Sequence, residues 1–326
     1  MSRAASVSPA LPEIAPARLR AVRSRLLAWY AEHEQPFPWR TARDPYAAMV
    51  AAVAAQQTQM SRVLEIYARW MAAFPTLHAL ARADRAEVLR VWGRAGYPRR
   101  AVGLHEAARI CMEQHGGALP RDPAAIMALP GVGPFTAAII RCFGFGDDAA
   151  AVDTNIVRVI GRLAFGDLQP ARETSPAAIA AMAERLMPAG EAAHWNPALM
   201  DFGARVCTPR PRCEACPLAP YCVARPRFAA GEVAEPVRAQ GAFAGSDREL
   251  RGRLMQALRD APGDAPGLTQ EALLRRSARG RDERARARRL LDAHAAEGLG
   301  WAAEDGRWHL GAARVVRRDV QGLPPS

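Results

Sequence analysis

Helical periodicity from about Arg18 to Arg205 constrains the fold more than any other feature of this sequence. Apolar residues such as Val22 and Leu26 recur at the spacing of one helix face. Asp44-Pro45 is a typical helix start, with Asp as the N-cap and Pro in the first turn. No segment in this range alternates apolar and polar residues as a half-buried strand does. The sequence therefore predicts an all-α domain, with helices over 45–56, 58–73, 84–92, 98–115, 123–128, 134–144, 153–164, 174–186 and 192–206.

A second, smaller domain follows a break in this pattern. Residues 226–245 are rich in Pro, Gly and Ala and lack periodicity, which is typical of a linker. Beyond it, Ser246 is placed to cap a helix, further helices are predicted over 269–277 and 282–296, and a hairpin is predicted around Gly306. This order favours a winged-helix-like domain. We therefore divide the chain into a flexible N-terminus (1–17), a helical domain (18–225), a linker (226–245), a winged-helix-like domain (246–312) and a tail (313–326).

The charge balance indicates a polyanionic partner. The chain has 44 basic and 33 acidic residues, a formal net charge of +11, and every basic residue other than histidine is Arg. Because there is no Lys, a mechanism that needs a lysine Schiff base is excluded unless the N-terminal amine replaces it. The arginine-rich stretch 276–289 is either a solvated helix face or a surface that contacts phosphates.

Hydrophobic patterning predicts no membrane partner. The longest apolar run is the ten residues 46–55, too short to span a bilayer. The N-terminus lacks a basic segment leading into a continuous apolar stretch, so no secretory signal is expected. We expect a cytoplasmic protein.

Four cysteines fall within sixteen residues and indicate a metal site. Cys207, Cys213, Cys216 and Cys222 have the spacing C-x5-C-x2-C-x5-C. In a cytoplasmic chain such a run is typical of a metal or iron-sulfur site rather than of disulfides. Structural zinc is the alternative, although zinc sites usually show two close cysteine pairs and this run has one.

Two short motifs suggest chemistry on DNA. The segment 129–133, LPGVG, places Gly131 and Gly133 in a tight connection between predicted helices, where backbone N–H groups can approach a phosphate. Asp153 directly precedes the next helical run, where a carboxylate is usually an N-cap. Each motif taken alone also fits a purely structural role.

Taken together, these motifs resemble the helix-hairpin-helix DNA glycosylases that carry an iron-sulfur cluster. Within that superfamily the likeness is to MutY-type adenine DNA glycosylases, and it covers about residues 20–225. The matching segments are Pro38-Trp39-Arg40, Gln56-Gln57-Thr58-Gln59, Gly96-Tyr97, Leu104-His105, LPGVG, Val152-Asp153-Thr154-Asn155, Met200-Asp201-Phe202-Gly203-Ala204 and the cysteine run.

The resemblance implies a two-lobed, all-α glycosylase domain that flips a nucleotide out of duplex DNA and cleaves its N-glycosidic bond. Asp153 matches the carboxylate that stabilises the oxocarbenium-like transition state, and Asn155 matches its polar neighbour. The four cysteines match the ligands of a [4Fe-4S] cluster. The DNA contacts that the resemblance implies come from Gln56, Gln57, Thr58, Tyr97, Gly131, Val132, Gly133, Arg210 and Arg212. The expected partner is double-stranded DNA with a mispaired or damaged base, bound by a monomer.

The chain departs from this pattern on the leaving-group side. Ala52 stands where the family has the Glu that protonates the departing adenine, and Phe135 replaces a hydroxyl-bearing residue. Gln35 and Ala55 replace a basic residue and an apolar wedge. The family's lyase branch has Lys at the position of Phe135, so Lys-dependent strand cleavage is not expected. The first cysteine gap is five residues rather than six, and residues 246–312 are too few and too helical for the family's 8-oxoguanine-reading domain.

Three functions follow from these observations. The first is excision of adenine mispaired with 8-oxoguanine or guanine. The second is excision of a better leaving base, such as uracil, mismatched thymine or an alkylated purine, because Ala52 supplies no general acid. The third is a non-catalytic protein that recognises damaged DNA. Either Glu65 or Asp201 is a possible substitute for the missing Glu.

Overall fold

A computed structural model describes residues 11–234, 241–262 and 266–313, and helices dominate these ranges. The chain divides into two compact units. The first unit comprises Met1–Tyr67 and Gln114–Gln240, and the second comprises Ala68–Glu113 and Gly241–Ser326. No helix among the described residues is both long enough and apolar enough to cross a lipid bilayer.

Helices form at all the positions where periodicity predicts them. They are α1 (Pro16–His33), α2 (Pro38–Thr41), α3 (Pro45–Ala55), α4 (Met60–Ala73), α5 (Leu77–Arg82), α6 (Arg85–Trp92), α7 (Arg99–Gln114), α8 (Pro123–Ala128), α9 (Pro134–Ile139), α10 (Thr154–Ile160), α11 (Pro170–Glu173), α12 (Pro176–Leu186), α13 (Ala192–Arg205), α14 (Arg225–Ala229), α15 (Asp247–Arg259), α16 (Gln270–Ser277) and α17 (Gly280–Ala296). The short helices α2, α5, α11 and α14, of four to six residues, were not predicted, because so few residues give little periodicity.

Two helices of the first unit end in π-helical turns. Ile140–Phe145 continues α9, and Gly161–Phe165 continues α10. Each turn stops at a glycine in the left-handed conformation, Gly146 at φ +76° and Gly166 at φ +80°. These turns accommodate the full lengths of the helices predicted over 134–144 and 153–164.

Helix α3 is buried on nearly all sides in the first unit. Asp44 caps this helix by accepting a hydrogen bond from the backbone N–H of Tyr46 at 2.9 Å, as the sequence predicts. Nine successive residues, Tyr46 to Ala54, are buried. A helix buried on all sides needs close neighbours, and a Cβ added at Gly144 would lie 2.5 Å from the Pro45 Cα. Small side chains therefore let the π-helical turn approach α3 at backbone distance.

In the described ranges 241–262 and 266–313, the second unit has three helices and a three-stranded antiparallel sheet. Strands β1 (Leu268–Thr269), β2 (Gly300–Ala302) and β3 (Arg307–Leu310) have the spatial order β1-β3-β2. The predicted hairpin around Gly306 is the β2-β3 pair, and β1 is an added two-residue strand. Ser246 caps α15 by accepting from the N–H of Glu249. These elements are those from which the winged-helix-like domain was predicted.

Segments expected to be irregular are partly ordered. In the predicted flexible N-terminus, Ile14 is buried and α1 begins at Pro16, whereas residues 1–10 lie outside the described part. The predicted linker begins inside α14, where Arg227 pairs with Glu232 at 2.8 Å, and residues 235–240 lie outside the described part. Of the predicted tail, only residue 313 is described.

Candidate active site

The LPGVG segment forms a tight turn between α8 and α9. Gly131 has φ +78°, which a residue with a side chain adopts only with strain. Val132 between the glycines is buried and donates its N–H to the Leu129 carbonyl at 3.1 Å. Gly133 is exposed, and a Cβ added there would meet nothing within 4 Å. The turn thus buries its apolar residues and presents glycine backbone at the surface, as a backbone phosphate site requires.

Asp153 is the N-cap of α10, and both of its carboxylate oxygens accept hydrogen bonds. Oδ1 accepts from the backbone N–H of Ile156 at 2.7 Å, and Oδ2 accepts from the side-chain amide of Asn155 at 2.7 Å. Burial raises the pKa of Asp153 above the ordinary 3.8, although these hydrogen bonds oppose the rise. The carboxylate is therefore held in a fixed position and is poorly solvated, so a nearby positive charge stabilises it.

Arg158 fixes the orientation of Asn155. Its Nη2 donates to Asn155 Oδ1 at 2.8 Å and to the Gly203 carbonyl at 2.6 Å. Because a guanidinium only donates, the amide oxygen of Asn155 must face Arg158 and its NH₂ must face Asp153. Arg158 Nε also donates to the Cys207 carbonyl at 2.6 Å. A continuous hydrogen-bond chain therefore joins Asp153 to the cysteine segment.

Gly203 lets α13 pack directly against Asn155. A Cβ added at Gly203 would lie 2.7 Å from the Asn155 Cβ and 3.0 Å from the Asn155 carbonyl oxygen. Contacts this short do not occur without movement, so only glycine leaves Asn155 in its observed place. The glycine of the MDFGA segment thus has a steric role in the site.

The four cysteines line one small cavity beside the buried Arg162. Arg162 donates to the carbonyl oxygens of Thr208 at 2.6 Å and Pro209 at 3.1 Å, and its Nη1 lies 3.6 Å from the Cys207 sulfur. Burial and the neighbouring thiols raise the pKa of Cys216 to about 12. The buried guanidinium of Arg162 supplies positive charge. This charge would offset the negative charge of the four cysteines if they bind a metal as thiolates.

The four thiols around this cavity match the kind and number of donors that a [4Fe-4S] cluster takes. In the described ranges, no three His, Cys, Asp or Glu side chains are close enough together to hold one metal ion. A [4Fe-4S] cluster takes its four thiolates on four different irons, so it requires cysteines spread around a cavity. Arg210 and Arg212 of this segment are exposed.

Gln57 and Tyr97 both have strained backbones. Gln57 is exposed at φ +53°, directly after α3, and Thr58 Oγ1 donates to the Gln56 carbonyl at 3.1 Å. Tyr97, in the second unit, has φ +45° and is 47% exposed. Among the described residues only one other non-glycine residue, Arg43, has a positive φ. Such strain often occurs at functional sites.

Neither suggested substitute for the missing Glu is placed to act as an acid. Ala52 is 4% exposed and belongs to the apolar core of the first unit. Asp201 accepts two hydrogen bonds from Arg40, at 3.1 and 3.0 Å, in a largely buried ion pair. Glu65 lies on the exposed face of α4. Asp201 therefore anchors the PWR segment, and Glu65 faces solvent.

Sequence reasoning missed the residues that hold this site together. Arg158 and Arg162 connect Asn155 and the cysteines, and Arg40 connects two of the matching segments through Asp201. One signal was available, because Arg158 follows Asn155 by three residues and Arg162 follows by seven, on one helix face. The Arg40–Asp201 pair spans 161 positions and has no local signal.

The sequence and structure comparisons all match base-excision DNA repair proteins. The sequence profile described as "HhH-GPD superfamily base excision DNA repair protein" matches residues 50–185. The adenine DNA glycosylase of Mycolicibacterium smegmatis is 37% identical over 289 residues, covering 87% of this chain and 94% of that protein. The thymine/uracil-DNA glycosylase of Methanothermobacter thermautotrophicus is 35% identical over 201 residues, covering 61% of this chain and 90% of that protein. The structure of a thermostable thymine-DNA glycosylase superimposes with a TM-score of 0.60 at 33% identity, over 65% of this chain and 98% of that one.

Proposed function

This chain belongs to the HhH-GPD superfamily of base-excision DNA repair proteins, as a MutY-like DNA glycosylase, and we propose that it removes adenine mispaired with 8-oxoguanine or guanine. The reaction is hydrolysis of the N-glycosidic bond of a base flipped out of the duplex. Adenine as the target is supported by the 37% identity to the mycobacterial adenine DNA glycosylase over 94% of that enzyme.

The observation that carries the proposal is the environment of Asp153. Breaking an N-glycosidic bond develops positive charge on the sugar, and an anion beside it stabilises the transition state more than the ground state. Asp153 is held by Ile156 and Asn155 and is poorly solvated. Neither the carboxylate nor surrounding water therefore has to reorganise when the sugar cation forms. Asn155 acts as the positioning residue, and Arg158 fixes it.

DNA binding is assigned to the hairpin, the strained residues and the cysteine segment. The exposed glycine backbone at Gly131 and Gly133 suits a phosphate, and the strained Gln57 and Tyr97 suit contacts within an opened base stack. The exposed Arg210 and Arg212 suit further phosphates. With Gln56, Thr58 and Val132 as supporting residues, these form the proposed contact set.

Cys207, Cys213, Cys216 and Cys222 would hold a [4Fe-4S] cluster, which would fix the loop between them. The hydrogen bond from Arg158 to the Cys207 carbonyl makes this loop part of the support of Asn155. The proposed role is therefore structural. Iron and acid-labile sulfide in the purified protein test the assignment: about four of each per chain support it, and stoichiometric zinc contradicts it.

We assign no Lys-dependent lyase activity to the chain. A lysine Schiff base is impossible without lysine, and Phe135 occupies the position of the lyase residue in the related branch. The proposed enzyme is a monofunctional glycosylase that acts as a monomer in the cytoplasm. Detection of a borohydride-trapped protein–DNA adduct during turnover would contradict the assignment of a monofunctional glycosylase.

A second candidate function is supported by Ala52 and by the similarity to thymine and uracil DNA glycosylases. General acid catalysis contributes roughly 10²- to 10⁴-fold, and the buried Ala52 contributes none. Thymine or uracil leaves more readily than adenine, so a site with Asp153 alone suffices for them. The 33% identical thymine-DNA glycosylase structure shows that closely related folds are used for such bases.

Single-turnover base release separates the two candidates. The substrates are duplexes with adenine opposite 8-oxoguanine, adenine opposite guanine, and uracil or thymine opposite guanine. Adenine release that disappears in Asp153→Asn supports the first candidate. Release of uracil or thymine with adenine left intact supports the second, and an intact panel with DNA bound indicates a recognition protein.

A further inference from the structure

The arginine-rich stretch of the second unit forms an exposed corner where α16 meets α17. Helix α16 ends at Ser277, and α17 begins two residues later at Gly280, whose φ of +87° suits glycine. Six arginines of these two helices and their connection are exposed to solvent, and we call them the basic corner: Arg275, Arg276, Arg279, Arg281, Arg288 and Arg289.

The carboxylates around the basic corner do not neutralise it. Among the described residues, none of its six guanidinium groups makes an ion pair, whereas Arg284 of the same helix pairs with Glu271 at 3.2 Å. Two exposed carboxylates of α17, Asp282 and Asp292, are likewise unpaired within the described part of the chain. Six unpaired arginines against two unpaired carboxylates leave this surface strongly positive, so it attracts polyanions.

The packing of α17 directs its basic side to solvent. Ala287 and Leu291 are buried, whereas Arg281, Ala285 and Arg288 recur along another side of the helix and are exposed. Neither α16 nor α17 has an exposed large apolar side chain. A helix that binds a lipid surface presents apolar residues to it. The exposed side of α17 therefore suits a polyanion in water rather than a membrane.

The shape of this helix side suits duplex DNA. Ala285 lies one turn from both Arg281 and Arg288, and its small side chain leaves room for a close approach of the helix backbone. The major groove of B-DNA admits an α-helix, and arginines on either side of the contact then reach phosphates. In helix-turn-helix proteins, the second of two helices joined by a short turn lies in that groove, which is the position of α17 here.

The hairpin that follows α17 has the opposite charge at its turn. Glu304 and Asp305 are both exposed there. Acidic side chains repel phosphates, so the contact surface consists of the two helices and does not extend to the hairpin turn.

We propose that the basic corner is a second DNA-binding surface, which holds the phosphates of undamaged duplex DNA. The proposal rests on the proposed function, because an enzyme that acts on DNA meets this polyanion at every encounter with its substrate. Phosphate contacts hold a protein on a duplex without reading its sequence. The basic corner would thus raise the affinity of the chain for any duplex, with or without a mispair.

The salt dependence of binding to a fully paired duplex tests this proposal. Dissociation constants are measured over a series of NaCl concentrations for the full chain and for the double variant Arg281→Gln/Arg288→Gln. The matched control is Arg82→Gln/Arg90→Gln, which changes two exposed arginines of α5 and α6 in the same unit. Both double variants lower the net charge by two, and Gln is a good helix former, so the melting temperatures should stay close to that of wild type.

Each phosphate contact contributes about 0.9 to the slope of log K against log salt concentration. The corner variant should therefore have a slope smaller by about 1.8 and an affinity at least about tenfold weaker at low salt, whereas the control should keep the wild-type slope. An unchanged slope, an equal decrease in both double variants, or no binding of the paired duplex by wild type would overturn the proposal and leave these arginines as a solvated helix face. Because this duplex has no mispair, a wild type that binds it but releases no adenine from a mispaired duplex would defeat only the proposed function.

Discussion

The side-chain amide of Asn155 donates to one carboxylate oxygen of Asp153 at 2.7 Å, and the other end of that amide is held by Arg158. The orientation of the Asp153 carboxylate is thus set by a residue two positions along the chain, which is itself set from the next turn of the helix. Asp153 is therefore both the N-cap of α10 and a carboxylate whose orientation is fixed by Asn155.

Asp153→Asn should reduce single-turnover base release by at least about 10²-fold while leaving DNA affinity nearly unchanged. Asn retains an oxygen that can cap α10 by accepting from Ile156, so the change removes mainly the charge. Asp122→Asn is the matched control, because Asp122 caps α8 in the same way at 2.8 Å. A loss of activity in Asp153→Asn no larger than that in Asp122→Asn would show that the charge of Asp153 does not drive excision.

The raised pKa of Asp153 predicts opposite pH trends for activity and stability. Excision needs the carboxylate, so its rate should fall with decreasing pH through a midpoint above 3.8. The folded state binds this proton more tightly than the unfolded state, so the contribution of Asp153 to stability is present at low pH and is lost as the pH rises through the folded pKa. The melting temperature of Asp153→Asn relative to wild type should therefore increase between acidic and neutral pH. A difference that is constant or shrinks over this range would contradict the burial argument.

Gly203→Ala should impair catalysis through Asn155. The added methyl group would lie 2.7 Å from the Asn155 Cβ, so Asn155, whose amide donates to Asp153, must shift. We expect a fall of roughly tenfold or more in single-turnover rate, with DNA affinity retained. In the Asn155→Ala background Gly203→Ala should slow release less than in wild type, because the amide contact to Asp153 is already lost while the clash with the Cβ and carbonyl oxygen of residue 155 remains. Fully additive losses would mean that Gly203 acts by another route.

Ala52→Glu should accelerate adenine release by about 10²-fold or more, because it supplies the missing general acid. Ala51→Glu is the control, since Ala51 is the adjacent residue of α3 and is also buried. Both variants place a carboxylate in an apolar helix and should be less stable than wild type. Acceleration in neither variant, or in both, would show that position 52 does not face the departing base.

The mostly helical fold was predictable because helical periodicity is a local signal, and it is present in nearly every long segment. The caps at Asp44, Asp153 and Ser246 were likewise visible in the sequence. Contacts between distant segments were not, since the Arg40–Asp201 ion pair depends on how α2 and α13 pack. The same limit applies to a cavity beside Tyr97, which forms only when residues 93–99 and α15 are brought together.

The cysteine segment combines a feature that the sequence predicts with one that it does not. Its spacing predicts a metal site, and the structure places all four cysteines around one cavity. The buried Arg162 that lies beside them has no signal in the spacing, because it comes from α10 and its π-helical continuation, forty-five positions before Cys207.

The central claim is that this chain removes adenine by the action of Asp153, and single-turnover release of adenine from a duplex with adenine opposite 8-oxoguanine tests it most directly. Wild type should release adenine slowly, because Ala52 supplies no acid, and Asp153→Asn should release none above background. Intact adenine after complete binding of the wild-type protein, or equal release by both proteins, would contradict it.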